Sequence, residues 1–339
     1  MAALRLLLAG FGNVGRRFVE ILRDRAAYPG LEALDVSLVG VTTGRHGAWT
    51  DPAGLTPSAL LDWHHTRDRF PATLDTLEAA RTLDYDVLVE LSPLSIAGRG
   101  EPAISHVREA LARRRHVISA NKGPVAWAYR ELMDLAHRNG VRFLHEATVM
   151  DGAPIFNLGR HGLRGNRILR LEGILNSTSN VVLCEMERGL SLEEAIAKAQ
   201  ALGIAEADPS ADLEGWDAAV KLTALANALM DADLKPEQIE RQGMGTLGPE
   251  ELAAARARGH RIKMVCEASR TDHGVAGRVS MCELPESHPF ARTEGAGSML
   301  RFHTDILGKL VVAEDEPDLS TTAYGVIADL FELTQDRQG

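Results

Sequence analysis

The chain has 339 residues, 45% of them hydrophobic and 25% charged, and this ordinary globular composition excludes an intrinsically disordered protein. Its net charge is −10, and no run of Lys and Arg is dense enough to follow a nucleic-acid backbone. No apolar stretch reaches the ~18 residues of a membrane-spanning helix, and the three cysteines lack disulfide or zinc spacing. We therefore expect a cytoplasmic protein with reduced thiols and no membrane or nucleic-acid partner.

The first part of the chain alternates apolar segments with amphipathic ones. We predict strands at residues 4–9, 36–42, 87–91 and 116–119 and helices at 13–25 and 102–114. This alternation is typical of an α/β fold, a doubly wound parallel sheet of the Rossmann type.

After about residue 146 the pattern becomes that of an α+β domain. Helices are predicted between residues 190 and 230 and at 321–333, and longer strands at 167–175, 277–284 and 298–312. We assign residues 1–146 to the first domain, together with a returning C-terminal helix at about 318–339, and residues 147–317 to the second.

A glycine-rich turn follows the first predicted strand and leads directly into a helix. It reads Gly10-Phe11-Gly12-Asn13-Val14-Gly15 and fits the pattern G-x-G-x-x-G. In such a turn the first glycine allows a sharp bend, the second lets a pyrophosphate approach the backbone, and the third packs the helix on the strand. The motif predicts a dinucleotide site, the alternative being a glycine turn that binds no phosphate.

The end of the second predicted strand lacks the acidic residue that usually holds the ribose of NAD. The chain reads Val-Thr-Thr-Gly-Arg-His at 41–46, so that hydroxyls and Arg45 are available instead. Because a guanidinium offers paired donors to phosphate, this composition favours NADP over NAD. The alternative is a solvated loop arginine.

Two further segments place polar groups where chemistry is expected. Lys122 follows the strand ending at residue 119, at the sheet edge where ligands bind, although a surface lysine is the alternative. Asp217 and Lys221 lie one turn apart on a strongly apolar helix, where an ion pair is costly without partners. Four carboxylates precede them and could bind a substrate ammonium: Glu206, Asp208, Asp212 and Glu214. An exposed helix pair is the alternative to an oriented proton donor.

Four blocks, in this order, resemble homoserine dehydrogenase. They are Asn-Lys-Gly-Pro at 121–124, Glu-Ala-Thr-Val-Met-Asp-Gly-Ala-Pro at 146–154, Gly-Ile-Leu-Asn-Ser-Thr-Ser-Asn at 173–180, and the segment 206–221 with its Gly-Trp-Asp-Ala-Ala-Val-Lys ending. The resemblance implies an NAD(P)-dependent dehydrogenase that interconverts aspartate 4-semialdehyde and homoserine. It also implies a second domain for substrate binding and dimerisation, and hence a homodimer.

The resemblance also implies roles for individual residues. Lys221 resembles the proton donor and acceptor, Asp217 its orienting partner, and Lys122 the lysine at the junction of nicotinamide and substrate. Substrate-binding residues implied in this way are Glu206, Asp212 and Thr178, and Ser92 resembles a residue lying against the nicotinamide.

The family further has a monovalent cation site, usually sodium, made by a glutamate and nearby carbonyls. Matching positions are Glu146, Val149, Asp151 and Ala153. Such an ion would be structural, because sodium is a weak Lewis acid. The alternative is that Glu146 is a buried, hydrogen-bonded carboxylate at the end of a strand.

Two departures from the family pattern matter. The acidic segment from Glu314 to Asp318 replaces a glycine-rich loop near the cofactor and would repel a pyrophosphate unless it lies elsewhere. The chain also ends at Gly339, without the appended regulatory domain of many members, so feedback through such a domain is not expected.

Two rival functions remain at this stage. One is a non-catalytic nucleotide-binding sensor or inactive paralogue, suggested by the acidic segment. The other is aspartate-semialdehyde dehydrogenase, which needs a nucleophilic cysteine, and Cys184 lacks an activating context.

Overall fold

A computed structural model describes residues 3–66, 69–245 and 247–335. The chain divides into two units, the first formed by Met1–Pro154 with Asp318–Gly339 and the second by Ile155–Pro317. None of the helices in these described ranges is long and apolar enough to cross a membrane.

The first unit contains a six-stranded sheet flanked by helices. Its strands are β1 (Leu4–Ala9), β2 (Val36–Thr43), β3 (Gly47–Leu55), β4 (Val87–Glu90), β5 (His116–Ser119) and β6 (Phe143–Leu144), and its helices up to this point are α1 (Asn13–Arg23), α2 (Pro57–Thr66), α3 (Thr76–Thr82), α4 (Ala103–Ala112), α5 (Gly123–Trp127) and α6 (Tyr129–Asn139). The strand order is β3-β2-β1-β4-β5-β6. β1 is parallel to both of its neighbours and almost wholly buried, which explains its continuous apolar run.

The second unit is an α+β domain with a mainly antiparallel sheet. Its strands are β7 (Ile168–Ile174), β8 (Glu240–Arg241), β9 (His260–Thr271), β10 (Gly274–Pro285), β11 (Ser298–Thr304) and β12 (Lys309–Glu314), and its helices are α7 (Ile155–Asn157), α8 (Ser177–Glu187), α9 (Leu192–Ala201), α10 (Ser210–Leu213), α11 (Trp216–Met230) and α12 (Pro249–Ala257). The order is β12-β11-β7-β9-β10-β8, and only the short pairing of β8 with β10 is parallel. The chain then returns to the first unit as α13 (Leu319–Gln335), which packs on α1.

The predicted α/β fold with a second α+β domain is confirmed, with two corrections. The sheet of the first unit is not wholly parallel, because the edge strand β3 runs antiparallel to β2. β3 is half-exposed and contains Asp51, Pro52 and Gly54, so it lacks the apolar run of a central strand. The single strand predicted at 298–312 is wrong: the exposed Ile306 and Leu307 continue the apolar pattern through a turn that separates β11 from β12.

Candidate active site

The glycine turn has the geometry that its sequence predicts. Gly10 has φ +114°, and a Cβ there would lie 2.7 Å from the carbonyl carbon of Leu91, so only glycine fits. A Cβ on Gly12 would meet no atom within 4 Å, which leaves open space beside the start of α1. Gly15 packs against the Gly10 carbonyl, since its Cβ would be 3.0 Å from that oxygen.

The remaining residues of this turn pack around it, and none of their side chains caps the start of α1. Phe11 is buried and packs on Phe70 with ring centroids 5.9 Å apart, while Asn13 is exposed and Val14 half-buried. Gly12 is the N-cap of α1 and has no side chain to accept from the first amides of the helix. A helix start of this kind is a site for phosphate groups.

Arg45 lies exposed at the tip of the turn between β2 and β3. The Thr43 hydroxyl closes this turn, accepting from the His46 N–H at 2.8 Å and donating to the Gly47 carbonyl at 3.2 Å. Thr42, just before it, accepts a backbone hydrogen bond from Gly10 at 2.8 Å. The turn that carries Arg45 therefore lies at the same end of the sheet as the glycine turn.

Ser92 and Lys122 follow neighbouring strands and are joined by a residue that sequence reasoning did not single out. The side-chain amide of Asn121 donates to the carbonyl oxygens of Ser92 at 2.9 Å and Pro93 at 3.2 Å. Its Oδ1 accepts from the Gly123 N–H at 2.8 Å, directly after the half-buried Lys122. Both predicted residues thus sit at the carboxyl edge of the sheet, where ligands of open sheets bind.

In the second unit, Asp217 and Lys221 form the predicted ion pair on α11. Asp217 Oδ2 is 2.9 Å from Lys221 Nζ, and the two side chains are only 14% and 18% exposed. Lys221 also donates to the Leu175 carbonyl at 2.8 Å. The alternative of an exposed ion pair on the helix surface is excluded by this burial.

Asn176 connects this pair to the acidic loop. Its Nδ2 donates to Asp217 Oδ2 at 2.9 Å and to Asp212 Oδ1 at 2.6 Å, while its Oδ1 caps α8 by accepting from the Ser179 N–H at 2.7 Å. Two carboxylates and an ammonium are therefore gathered around one buried amide. The Asn-Ser-Thr block contained the signal, but nothing in its spacing indicated the role of Asn176.

Both parts of the chain match sequence models of one family. Residues 154–331 match the model described as homoserine dehydrogenase, and residues 10–146 match its NAD-binding domain. The chain belongs to the homoserine dehydrogenase family. It is accordingly an NAD(P)-dependent oxidoreductase, and the family match does not support the alternative of a non-catalytic sensor.

Three of the homoserine dehydrogenases that match do so along nearly their whole length. The NAD(+)-dependent homoserine dehydrogenase of Pseudomonas canavaninivorans is 35% identical, over 99% of this chain and 97% of its own. The crystal structure of a putative homoserine dehydrogenase from Archaeoglobus fulgidus superposes with a TM-score of 0.87 at 31% identity, over 97% of this chain and 99% of its own. A hyperthermophilic archaeal homoserine dehydrogenase in complex with NADPH gives 0.82 at 27% identity, with 98% of each chain covered.

The two other predicted substrate residues, Thr178 and Glu206, lie on a helix and on the loop that it contacts. Thr178 is buried, and its hydroxyl donates to the Ile204 carbonyl at 3.3 Å. Glu206, two residues further on, is exposed, and its carbonyl accepts from the Gln200 amide at 3.0 Å. The Thr178 hydroxyl thus connects the start of α8 to the loop that carries Glu206.

Cys266 lies beneath the ion pair on β9. Burial raises the pKa of its thiol to about 12, against the opposing effect of the nearby Lys221 ammonium. The thiol is therefore protonated at neutral pH and inert as a nucleophile. Cys184 is also buried, so it is not an accessible nucleophile of the kind that an aspartate-semialdehyde dehydrogenase needs. All three cysteines are free thiols.

Glu146 lies in a buried turn that continues to Ala153. Glu146 is fully buried, and its N–H donates to Asp329 Oδ2 at 2.8 Å. Asp151 accepts from the Thr322 hydroxyl at 2.6 Å and has φ +49°, a left-handed conformation that turns the backbone sharply. Val149 and Ala153 are buried in the same turn. The turn therefore places the Glu146 carboxylate and the backbone carbonyl oxygens of these residues within one buried segment. Oxygen donors of this kind suit a hard cation.

The acidic segment has a structural role at its end. Asp318 Oδ1 accepts from the N–H groups of Ser320 at 2.7 Å and Thr321 at 3.0 Å, which caps the start of α13. These hydrogen bonds, the bond from Thr321 first, hold the pKa of Asp318 below its usual range. At least one of these carboxylates is therefore occupied by a helix end rather than directed toward a ligand.

Proposed function

We propose that the chain interconverts homoserine and aspartate 4-semialdehyde, with Lys221 as the proton donor and acceptor at the reacting oxygen. The observation that carries this proposal is the geometry of Lys221, which lies on a mostly apolar helix. Its Nζ lies 2.9 Å from Asp217 and 2.8 Å from the Leu175 carbonyl. An ammonium held in this way is oriented and only slightly exposed, as a general acid should be.

The bound nicotinamide supplies or receives the hydride. In the reductive direction, Lys221 gives a proton to the oxygen that gains negative charge as the carbonyl carbon is reduced. In the oxidative direction, the neutral Lys221 amine takes the hydroxyl proton of homoserine. Asp217 stabilises the charged form of Lys221 and fixes its orientation in both directions.

The acidic loop of the second unit would hold the amino group of the substrate. Asp212 is half-buried and fixed by Asn176 at 2.6 Å, so its carboxylate is preorganised before a substrate ammonium arrives. Glu206 is exposed and would complete this recognition from the loop that Thr178 fastens. Carboxylates are the groups that pair with an ammonium.

The first unit would hold the cofactor, with the pyrophosphate over Gly12 and the nicotinamide beside Ser92 and Lys122. The open space at Gly12 and the uncapped start of α1 support the first placement. The position of Ser92 and Lys122 at the carboxyl edge of the sheet supports the second.

We infer a preference for NADP over NAD. Relatives are named with either cofactor, one being NAD(+)-dependent and another in complex with NADPH. In this chain the exposed Arg45 stands at the end of β2, where no carboxylate is present to hold a ribose. A guanidinium in this position would pair with the 2′-phosphate of NADP.

The turn from Glu146 to Ala153 would hold a structural sodium ion. The buried Glu146 carboxylate and the carbonyl groups of Val149 and Ala153 would be its ligands, with Asp151 shaping the turn. A sodium ion there would fix the backbone of this turn without taking part in proton transfer.

We also infer a homodimer formed by one face of the second sheet. Cross-strand pairing places Val311, Arg301, Glu172 and Glu267 in one row across β12, β11, β7 and β9, so they share a face. Arg301 and Glu172 are 3.7 Å apart, and Val311 is 42% exposed. In a two-fold symmetric dimer this face would contact the same face of the second copy. Its positive and negative side chains could then pair with those of the partner. Analytical ultracentrifugation of the protein tests this state.

The activity is tested by homoserine-dependent reduction of NADP and of NAD at alkaline pH, followed by the absorbance of the reduced nicotinamide. We expect turnover with both and a faster rate with NADP. A folded protein that turns over neither cofactor with homoserine would contradict the proposal.

A further inference from the structure

Glu90 is a fully buried carboxylate at the end of β4, in the middle of the first sheet. Its Oε1 accepts from the Ser92 N–H at 2.8 Å and from the Ser92 hydroxyl. Its Oε2 lies 2.8 Å from Nδ1 of His106, which is itself buried on α4. Burying a carboxylate is costly unless it is hydrogen-bonded, and these three contacts offset that cost and hold Glu90 in one position.

The hydrogen bonds of Ser92 leave its side chain committed to the protein. Its N–H and O–H both donate to Glu90, and its carbonyl and hydroxyl oxygens accept from Asn121 Nδ2 at 2.9 Å and 3.3 Å. The Ser92 hydroxyl proton is therefore directed at Glu90 rather than at a ligand. Ser92 contributes the shape of its backbone segment.

The same segment forms a wall of the glycine turn. The closest atoms to a Cβ on Gly10 would be the carbonyl of Leu91 at 2.7 Å and the N–H nitrogen of Ser92 at 2.9 Å. This is the peptide whose N–H is held by Glu90. A shift of the peptide by a few tenths of an ångström would therefore move the turn beneath the pyrophosphate site as well.

Asn121 extends the chain of contacts to the loop of Lys122. Its nitrogen binds the Ser92 segment and its oxygen accepts from the N–H of Gly123, at 2.8 Å. One continuous series of hydrogen bonds runs from His106 through Glu90, Ser92 and Asn121 to the residue after Lys122. Glu90, Ser92 and Asn121 are each held by two or more partners, so displacement of one displaces the next.

We propose that Glu90 is a positioning residue for hydride transfer, acting through Ser92 and Asn121 on the placement of the nicotinamide and Lys122. Glu90 does not contact the cofactor; its carboxylate, held by His106, fixes the peptide against which the cofactor lies. The proposal rests on the proposed placement of the nicotinamide beside Ser92 and Lys122. Misplacement of reacting groups by about 1 Å costs as much as a hundredfold in rate, so a distant anchor of this kind has a measurable effect.

The test compares Glu90→Ala and Glu90→Gln with the unaltered protein, using homoserine deuterated at the carbon that loses hydride. For Glu90→Ala we expect kcat to fall by about tenfold to a hundredfold and the deuterium isotope effect to rise, because a badly placed hydride donor makes transfer rate-limiting. The KM for homoserine should change little, since the residues proposed to bind homoserine, Asp212 and Glu206, belong to the second unit. Glu90→Gln, whose Oε1 can still accept from Ser92, should recover part of kcat and of the normal isotope effect.

Tyr85→Phe is the matched control. It removes a buried hydrogen bond in the same unit, from the Tyr85 hydroxyl to the Ala80 carbonyl at 3.1 Å, without touching Ser92 or Asn121. We expect it to lower the melting temperature and leave kcat per folded molecule and the isotope effect as in the unaltered protein. If Glu90→Ala fails to fold, Glu90→Gln decides, with a lower kcat and a raised isotope effect expected.

An unchanged isotope effect in the folded variants would overturn the proposal. This holds whether kcat is normal or is lowered only because part of the protein is unfolded. Turnover of the unaltered protein is measured first. A failure of the proposed reaction is therefore seen in that protein, whereas a failure of the positioning role is seen only in the variants.

Discussion

Asn176 donates a 2.9 Å hydrogen bond to Asp217 with the same nitrogen that binds the carboxylate of the acidic loop. Two carboxylates that approach one another repel, and an amide nitrogen with two donors between them relieves that repulsion. Lys221, the proposed proton donor, is thereby connected to the acidic loop through a neutral residue. Asn176 is also the N-cap of α8, so its position is fixed by the fold.

Replacing Asn176 by aspartate is expected to lower kcat/KM for homoserine by about a hundredfold. The new carboxylate would repel Asp212 and Asp217 and leave both without their shared donor, although it could still cap α8. Steady-state kinetics with varied homoserine measure the loss. Asn227→Ala is the control, since Asn227 is a buried asparagine on α11 that binds the backbone of Leu234. A similar loss in that control would show that the effect is one of stability.

Lys221→Met is expected to lower kcat by about 10²–10⁴-fold, the usual contribution of a positioned acid or base. Methionine preserves most of the apolar stem but cannot transfer a proton. The dissociation constant of NADP, measured by titration calorimetry, should not change, because the cofactor is proposed to bind the other unit. Lys198→Met removes an ammonium that pairs with Glu185 and serves as the control. Normal turnover of Lys221→Met would remove this residue from the mechanism.

The fold was largely predictable because its central elements are periodic. β1 and β5 are buried runs with the predicted bounds, and α1 begins at the predicted Asn13. β3 escaped prediction because an edge strand needs no continuous apolar sequence, and the turn before β12 because Ile306 and Leu307 are exposed apolar residues. The sequence pattern alone cannot show whether such an apolar residue is buried or exposed.

The site was predictable where residues are adjacent on one element and not where the fold joins distant segments. Asp217 and Lys221 are four residues apart on a helix, so their contact follows from helical spacing. Asn176 meets Asp212 and Asp217 only through the packing of α8 on α10, and Glu90 meets His106 only through the packing of α4 on the sheet. A buried acid in the apolar strand β4 was the available signal for Glu90.

The rate of homoserine oxidation is expected to rise with pH above neutrality, while the rate of semialdehyde reduction falls. Oxidation needs a neutral amine at the proton acceptor, and the neutral fraction of an amine grows with pH. Reduction needs the ammonium and shows the opposite trend. Profiles of kcat in both directions measure this, and Lys221→Met should show neither slope. Parallel slopes in the two directions would contradict a single group that exchanges its roles.

Arg45→Ala is expected to raise the KM for NADP by about tenfold and to leave the KM for NAD nearly unchanged. The loss corresponds to about 1.4 kcal/mol, within the range for a hydrogen bond to a charged group. Because Arg45 is exposed at the tip of a turn that Thr43 closes, its truncation should not disturb β2. Arg69→Ala, another exposed arginine of the same unit, is the control. Equal changes with both cofactors would show that Arg45 does not read the 2′-phosphate.

Glu267 provides a test of how the second sheet responds to acid. Burial alone would raise its pKa, but a hydrogen bond from Arg278 and the charges of Arg170 and Arg278 outweigh burial and lower it. A carboxylate with a lowered pKa stabilises the folded state above the ordinary glutamate value of about 4.3, and this contribution is lost as the pH falls through its folded pKa.

Glu267→Gln is therefore expected to reduce the free energy of unfolding by about 1 kcal/mol at pH 7, since it removes the charge that pairs with two arginines. The difference from the unaltered protein should shrink as the pH falls below about 4, because the unaltered side chain is then protonated as well. Urea unfolding at several pH values and one protein concentration measures it, with the exposed Glu286→Gln as control. A difference that persists at the lowest pH would mean that Glu267 stabilises the sheet by packing rather than by its charge.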